Sequence, residues 1–366
     1  MAALLFSFAI SLLLLAQIPT IAPAATKPVI FVFGDSLSDA GNNNHFPYSL
    51  ARSDFPWYGI DYFSGLPTGR FTNGRTIGDI VAAKLGVPSP PPFMSVSIND
   101  DAILHGVNYA SGGAGILNET GTYFVQKLSF DDQISYFQKT KDVITLKIGK
   151  RASEKLCNEA LFLVGLGSND YINNFLQSGL DDAKKYTITE FEDLLINTLE
   201  TQLTRLHKLG ARKVVFHGLS PMGCIPSQRV KSMDGGCLGY VNDYVRQFNS
   251  RVKNLIAGLN SNLPAAQMAF ADCYNIVLDL INNPQVYGRT RFKISHTSCC
   301  NVDSTIGGLC LPNSQLCSNR KDYVFWDAYH PTDAANAVIA NQIFDDPDVG
   351  QVHPALRNIA PSPSPR

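Results

Sequence analysis

Five short apolar runs punctuate the chain: Val29 to Phe33, Val107 to Ala110, Ala160 to Val164, Val214 to Phe216 and Met268 to Ala271. They lack the polar alternation of a half-solvated strand, which suits strands buried on both faces of a parallel sheet. The stretches between them have helical spacing. Ile77 to Leu85 stops at Gly86, and Phe130 to Ile148 carries Asp131 and Asp132 in its first turn, where the helix dipole favours them. Thr189 to Leu209 has Thr189 and Glu192 at capping-box spacing and Gly210 as its stop. Tyr240 to Leu259 is amphipathic, Ile276 to Asn282 is short, and Pro331 is expected at the first position of the last helix. Strands alternating with helices predict an α/β fold: a central parallel sheet of about five strands with helices on both faces. No repeat and no linker interrupts the pattern, so residues 25–357 read as one domain.

The two ends depart from this pattern. Leu4 to Ile18 is apolar but short for a bilayer span, and Ala22-Pro23-Ala24 supplies small residues for cleavage, so residues 1–24 read as a secretory signal peptide. No Lys or Arg precedes the apolar stretch. The protein is therefore expected in the secretory pathway, extracellular or vacuolar, with no integral membrane segment in the mature chain. Residues 358–366, rich in Pro and Ser, read as a disordered tail.

Charge narrows the partners. Lys plus Arg number 30 against 31 for Asp plus Glu, which leaves no basic footprint for nucleic acid. Hydrophobic residues make up 45% of the chain, enough for a sizeable core. Eight cysteines behind a signal peptide point to disulfides rather than zinc, because the paired C-x-x-C form is absent. Cys224 with Cys237, and Cys310 with Cys317, each flank a short loop and are the expected pairs. Asn118-Glu119-Thr120 is the one N-x-[ST] sequon, so Asn118 is the expected glycosylation site.

Four motifs fall where strands should end: Gly34-Asp35-Ser36, Gly112-Gly113, Gly167-Ser168-Asn169-Asp170 and Asp327-Ala328-Tyr329-His330. Each is weak alone. Together, at one edge of a parallel sheet, they meet in the crevice where such folds bind ligands. Their chemistry is complementary. A serine hydroxyl needs a base, His330 can be one, and Asp327 can hold its tautomer. The Ser36 and Gly113 backbone N–H groups and the Asn169 amide are candidate oxyanion donors. Asp35 is expected to orient or cap the turn, and Asp39, Asn43 and Asn44 to shape the loop around Ser36. The other six histidines show no metal-ligand spacing. Phe55, Trp57, Tyr58, Tyr62 and Phe63 form an aromatic cluster, read as packing rather than an acyl pocket.

On these blocks the chain resembles plant-type GDSL esterase/lipases of the SGNH hydrolase superfamily. FVFGDSLSDAGNNN, GVNYASGGAGI, LVGLGSNDY and VFWDAYHPT resemble the family's four blocks, in order. YGIDYFSGLPTGRFTNGRTIGD and GARKVVFHGLSPMGCIP resemble its plant branch, and the likeness covers nearly the whole mature chain. One departure is Asn301, after Cys299-Cys300, where the family pattern has Gly. The resemblance implies a flavodoxin-like three-layer α/β/α sandwich. It also implies Ser36, Gly113, Asn169 and His330 as the namesake residues, with Asp327 completing a triad. The implied activity is hydrolysis of carboxylic esters through an acyl-enzyme, on a small-molecule, lipid or polymer ester and without cofactor or metal. An acyltransferase sharing that acyl-enzyme, and a non-catalytic lipid- or carbohydrate-binding protein on the same fold, are the other readings the motifs leave open.

Overall fold

The structure, a computed structural model, describes residues 27–97, 99–177, 179, 185–287, 292–301 and 308–352. The proposed signal peptide and the Pro/Ser-rich tail lie outside the described residues.

Four fully parallel strands form the central sheet, in the order β1 (Ile30–Gly34), β2 (Leu161–Gly165), β3 (Lys213–His217), β4 (Gln267–Ala271). The apolar runs of the sequence are these strands. The fifth expected strand, Val107 to Ala110, lies along the free edge of β1. Val32 N donates to Val107 O at 3.1 Å and Tyr109 N to Val32 O at 2.7 Å. Asn108 bridges both Val32 and Pro92 there, too briefly to count as a regular strand.

One helical layer contains α2 (Phe130–Ile148), α3 (Lys150–Glu159), α4 (Ile188–Lys208) and α5 (Gly239–Asn262). The other contains α1 (Ile77–Lys84), α6 (Cys273–Asn282), α7 (Asp333–Asp345) and α8 (Pro347–Val352). The result is a three-layer sandwich. The core under α2 is aromatic: the Phe31 and Phe137 rings lie 5.0 Å apart, and Phe33 stacks on Tyr109, also at 5.0 Å.

Helix starts follow hydrogen-bonding chemistry and differ from expectation in three places, one of them α6, which Asp272 caps and which opens at Cys273 rather than Ile276. Ser129 and Asp132 form the capping box of α2. For α4 the box is Thr187 with Glu190, two residues before the expected pair; the run Thr-Ile-Thr-Glu-Phe-Glu offers the same spacing twice. Glu192 is buried instead, accepting from the Tyr171 hydroxyl at 3.3 Å and pairing with Arg251 at 3.6 Å. Pro331 does not open α7. Thr332 is the N-cap, its hydroxyl accepting from Ala335 N at 3.2 Å, and Pro331 stands one residue outside.

A separate two-stranded parallel sheet, β5 (Ile294–Ser298) with β6 (Tyr323–Phe325), carries the cysteine loop. Cys224 pairs with Cys237 as expected, but Cys310 does not pair with Cys317. The bonds are Cys299–Cys317 and Cys300–Cys310. Cys300 bridges Leu316 in antiparallel fashion and Cys317 N donates to Cys299 O, so the returning chain sets Cys317 opposite Cys299. Cys310 then meets the neighbouring cysteine. Cys157 and Cys273 are buried free thiols.

Candidate active site

Beyond β1 the chain coils tightly. The N–H groups of Ser38 and Asp39 donate to Asp35 O at 3.1 and 3.0 Å, and Asp35 Oδ1 accepts from Leu37 N at 3.0 Å. Ser36 stands at the top of this coil, on the wall of a cavity of about 790 Å³ at the carboxyl end of the sheet. Gly113, Asn169 and His330 line the same cavity. Residues from four distant parts of the sequence thus converge there.

The reason they converge is a set of buried carboxylates acting as staples. Asp39 accepts from Gly41 N and Asn42 N through Oδ1, and from Gly112 N at 3.0 Å through Oδ2. That ties the serine coil to the glycine segment. Asp170 accepts from Ile116 N at 2.8 Å, Leu117 N at 3.0 Å and the Thr120 hydroxyl at 2.7 Å, tying the asparagine turn to the same segment. Asn43 Nδ2 adds a bond to Gly112 O at 2.9 Å. Asp39 and Asn43 therefore shape the loop as expected, whereas nothing in the sequence around Asn169 marked Asp170 as a staple.

Asp327 and His330 do not come off the main sheet. They follow β6, where Trp326 N donates to His330 O at 2.7 Å and Thr332 N to Val324 O at 2.9 Å, folding residues 326–330 into a tight loop. Asp327 is wholly buried and His330 nearly so. His330 Nδ1 lies 2.8 Å from both Asp327 oxygens, and His330 Nε2 lies 2.8 Å from Ser36 Oγ. A carboxylate only accepts, so Nδ1 carries the proton and Nε2 is left to accept from the serine hydroxyl. The backbone N–H groups of Tyr329 and His330 also donate to Asp327 Oδ1, at 2.9 and 2.8 Å.

The remaining Asp327 oxygen, Oδ2, accepts from the hydroxyl of Tyr58 at 2.7 Å. The same hydroxyl accepts from Cys310 N at 3.0 Å. Tyr58 is buried beside Phe71, Trp326 and the Cys300–Cys310 bond, in a second, smaller core. Burial first, and the Asp327 charge second, push its phenol well above the usual range, so it stays a donor. The sequence placed Tyr58 in a packing cluster, and its bond to Asp327 was missed. Phe55, Trp57, Tyr62 and Phe63 do stay off the cavity wall; its Phe and Tyr residues are Phe71, Tyr123, Phe124, Phe325 and Tyr329.

Gly113 has φ +81°, and a Cβ there would stand 2.5 Å from the Phe124 ring, so the position excludes other residues on two counts. Asn169 Nδ2 donates to Ala114 O at 2.8 Å, which orients the amide and leaves its second hydrogen available. Asn118 is exposed. Burial pushes the Asp35 carboxyl up to about 7, opposed by the Leu37 N–H and the charge of His330. His217, at the end of β3, also lines the cavity and is pushed down to about 4 by burial, so it is neutral.

The model of the family described as GDSL-like Lipase/Acylhydrolase matches residues 30–343. A GDSL esterase/lipase of Arabidopsis thaliana is 58% identical over 348 residues, covering 95% of this chain and 95% of the relative. A second from the same plant is 48% identical over 341 residues, covering 93% and 92%. GDSL esterase/lipase 7 of Arabidopsis thaliana is 43% identical over 325 residues, covering 87% of each.

Proposed function

The chain belongs to the GDSL-like lipase/acylhydrolase family, and on that premise we propose that it is a carboxylic ester hydrolase in which Ser36 is the nucleophile. The observation that carries the reading is the continuous line of hydrogen bonds from Ser36 Oγ through the His330 ring to Asp327. Ser36 Oγ attacks the ester carbonyl while its proton passes to His330 Nε2. The oxyanion of the tetrahedral intermediate takes hydrogen bonds from the N–H groups of Ser36 and Gly113 and from the free Asn169 amide hydrogen. The intermediate collapses, the C–O bond breaks, and the leaving alkoxide takes the proton from His330. Water then attacks the acyl-Ser36 ester, with His330 as base again, and releases the acid. Asp327 keeps the imidazole in the productive tautomer throughout. Every group this sequence needs is a side chain or backbone donor of the chain itself.

Secretion belongs to the same proposal: residues 1–24 direct export, and the exposed Asn118 carries a glycan. Among the described residues no helix is long and apolar enough to cross a membrane.

A fluorophosphonate probe, which phosphonylates activated serines, tests the assignment. It is expected to label the protein at Ser36 alone and to leave Ser36→Ala unlabelled. Label mapped to another serine, or none on folded protein, rejects it.

A further inference from the structure

One lip of the cavity is built to face something other than water. Residues 46–51 and 121–126 run side by side, held by Leu50 N donating to Phe124 O at 3.0 Å and Tyr48 N to Gln126 Oε1 at 2.8 Å. From this lip project Tyr48, Leu50, Tyr123 and Val125, which are 69%, 66%, 43% and 62% exposed. Ala51, Tyr123 and Phe124, from the same two segments, line the cavity that holds Ser36. Val230 also lines the cavity and is itself exposed. Contiguous exposed apolar side chains at a cavity mouth mark an interaction surface.

Backbone strain points the same way. Val125 has φ 70° and ψ −54°, and Gln126 N donates to Phe124 O at 2.8 Å, closing a three-residue turn of the rare, strained hand. A β-branched residue is costly there, whereas glycine is relaxed. Within the folded chain this valine gains little burial in return. A strained residue that displays an apolar side chain to solvent beside a reactive cavity implies a use outside the molecule.

We propose that this lip docks the enzyme on the uncharged, apolar surface of a neutral lipid droplet and so feeds ester into the cavity. The inference rests on the ester-hydrolase reading and names the physical form of its substrate. Two features select this occupant. Residues 46–51 and 120–126 contain no Asp, Glu, Lys or Arg, and at their borders Arg52 is paired with Asp54 and Lys127 bonds Asn118 O, so the lip offers little to a charged headgroup layer or a charged protein. A protein seated on the lip would also cover the cavity mouth, while a substrate phase seated there supplies it.

The test uses the mature chain with Ser36→Ala, so that binding is read without turnover. Mixed with a triolein emulsion and centrifuged, this protein is expected to leave the aqueous phase. Adding Leu50→Glu and Val125→Glu should lower its partition about tenfold or more, because two anchors become charges. Val125→Gly is the companion that keeps the fold. It removes the apolar side chain and relaxes the turn, so partition should fall several-fold with no drop in Tm. With Ser36 restored, the Leu50→Glu, Val125→Glu pair should hydrolyse tributyrin below its solubility limit within about twofold of the parent, since neither side chain lines the cavity. On the emulsion it should lose about tenfold, in step with partition. Parent protein that stays in the water, variants that partition as the parent does, or equal losses on dissolved and emulsified ester would each overturn the proposal. Partition is independent of Ser36 chemistry, so failure of fluorophosphonate labelling would count against the hydrolase reading and not against the lip.

Discussion

Tyr58 is where a single residue decides how well Asp327 is held. Its hydroxyl is the only side-chain donor on Asp327 besides His330 among the described residues, and it sits in a dry pocket where a lost partner is not replaced by water. Tyr58→Phe keeps the ring packing and deletes one bond to a charged acceptor, about 1.5–3 kcal/mol. The expected result is kcat down roughly tenfold or more with KM little changed. If the residue served packing alone, the folded variant would turn over normally. Asn169 is separable by the same kinetics: Asn169→Ala should lower kcat about 10²–10³-fold with little effect on KM, as loss of one oxyanion donor does. A variant that melts early but turns over normally per folded molecule would assign Asn169 to the loop alone.

At the level of elements, the four main-sheet strands and most helices were legible because their burial writes itself into apolar runs and periods; β5 and β6 were not. Three of the motifs were legible because each follows an apolar run whose end can be read locally, whereas Asp327 and His330 follow β6, which no apolar run announced. What could not be read were pairings set by return paths. Tyr58 meets Asp327 across 269 positions, and an aromatic residue near other aromatic residues reads as core. Cys317 meets Cys299 only because the loop turns back antiparallel on residues 299–301, which spacing does not encode. Thr187 and Thr189 present the same capping pattern, and only packing of α4 chooses between them. Peptide mapping under non-reducing conditions should recover Cys224–Cys237, Cys299–Cys317 and Cys300–Cys310, with free thiols at Cys157 and Cys273. Cys300→Ala with Cys310→Ala should cost about 2–4 kcal/mol in denaturant unfolding, the usual range for a native disulfide. It should also lower kcat through the Cys310–Tyr58–Asp327 contact.

For the whole molecule, the buried carboxyls set how stability depends on pH. Burial raises Asp35 from 3.8 to about 7, and Asp39 and Asp170 from 3.8 to about 6. A carboxyl raised in the folded state binds its proton more tightly there than in the unfolded chain. Its contribution is complete below pH 3.8 and is lost as pH rises through 6 to 7. His217 opposes this. It falls from 6.5 to about 4, so its contribution is present above 6.5 and lost toward 4. His207, also lowered by burial, adds to His217, but the three carboxyls outweigh the two histidines, and Tm should climb as pH is lowered from 7.5 to 5. Calorimetry across that range checks the direction, and Asp35→Asn should flatten the curve. A Tm that drops toward pH 5 would contradict the carboxyl account.

The hydrogen bond between Ser36 and His330 joins positions 294 residues apart. Contacts so distant in the chain form late, because a long loop must close before they return any energy. Ser36 emerges from the ribosome long before His330. A chain cut short before His330 therefore carries a Ser36 hydroxyl without this partner, which it gains only when the loop of residues 326–330 has been made and has docked. Reactivity at Ser36 would in that sense report that this loop has docked, and the covalent probe that tests Ser36 as nucleophile would time that step of folding.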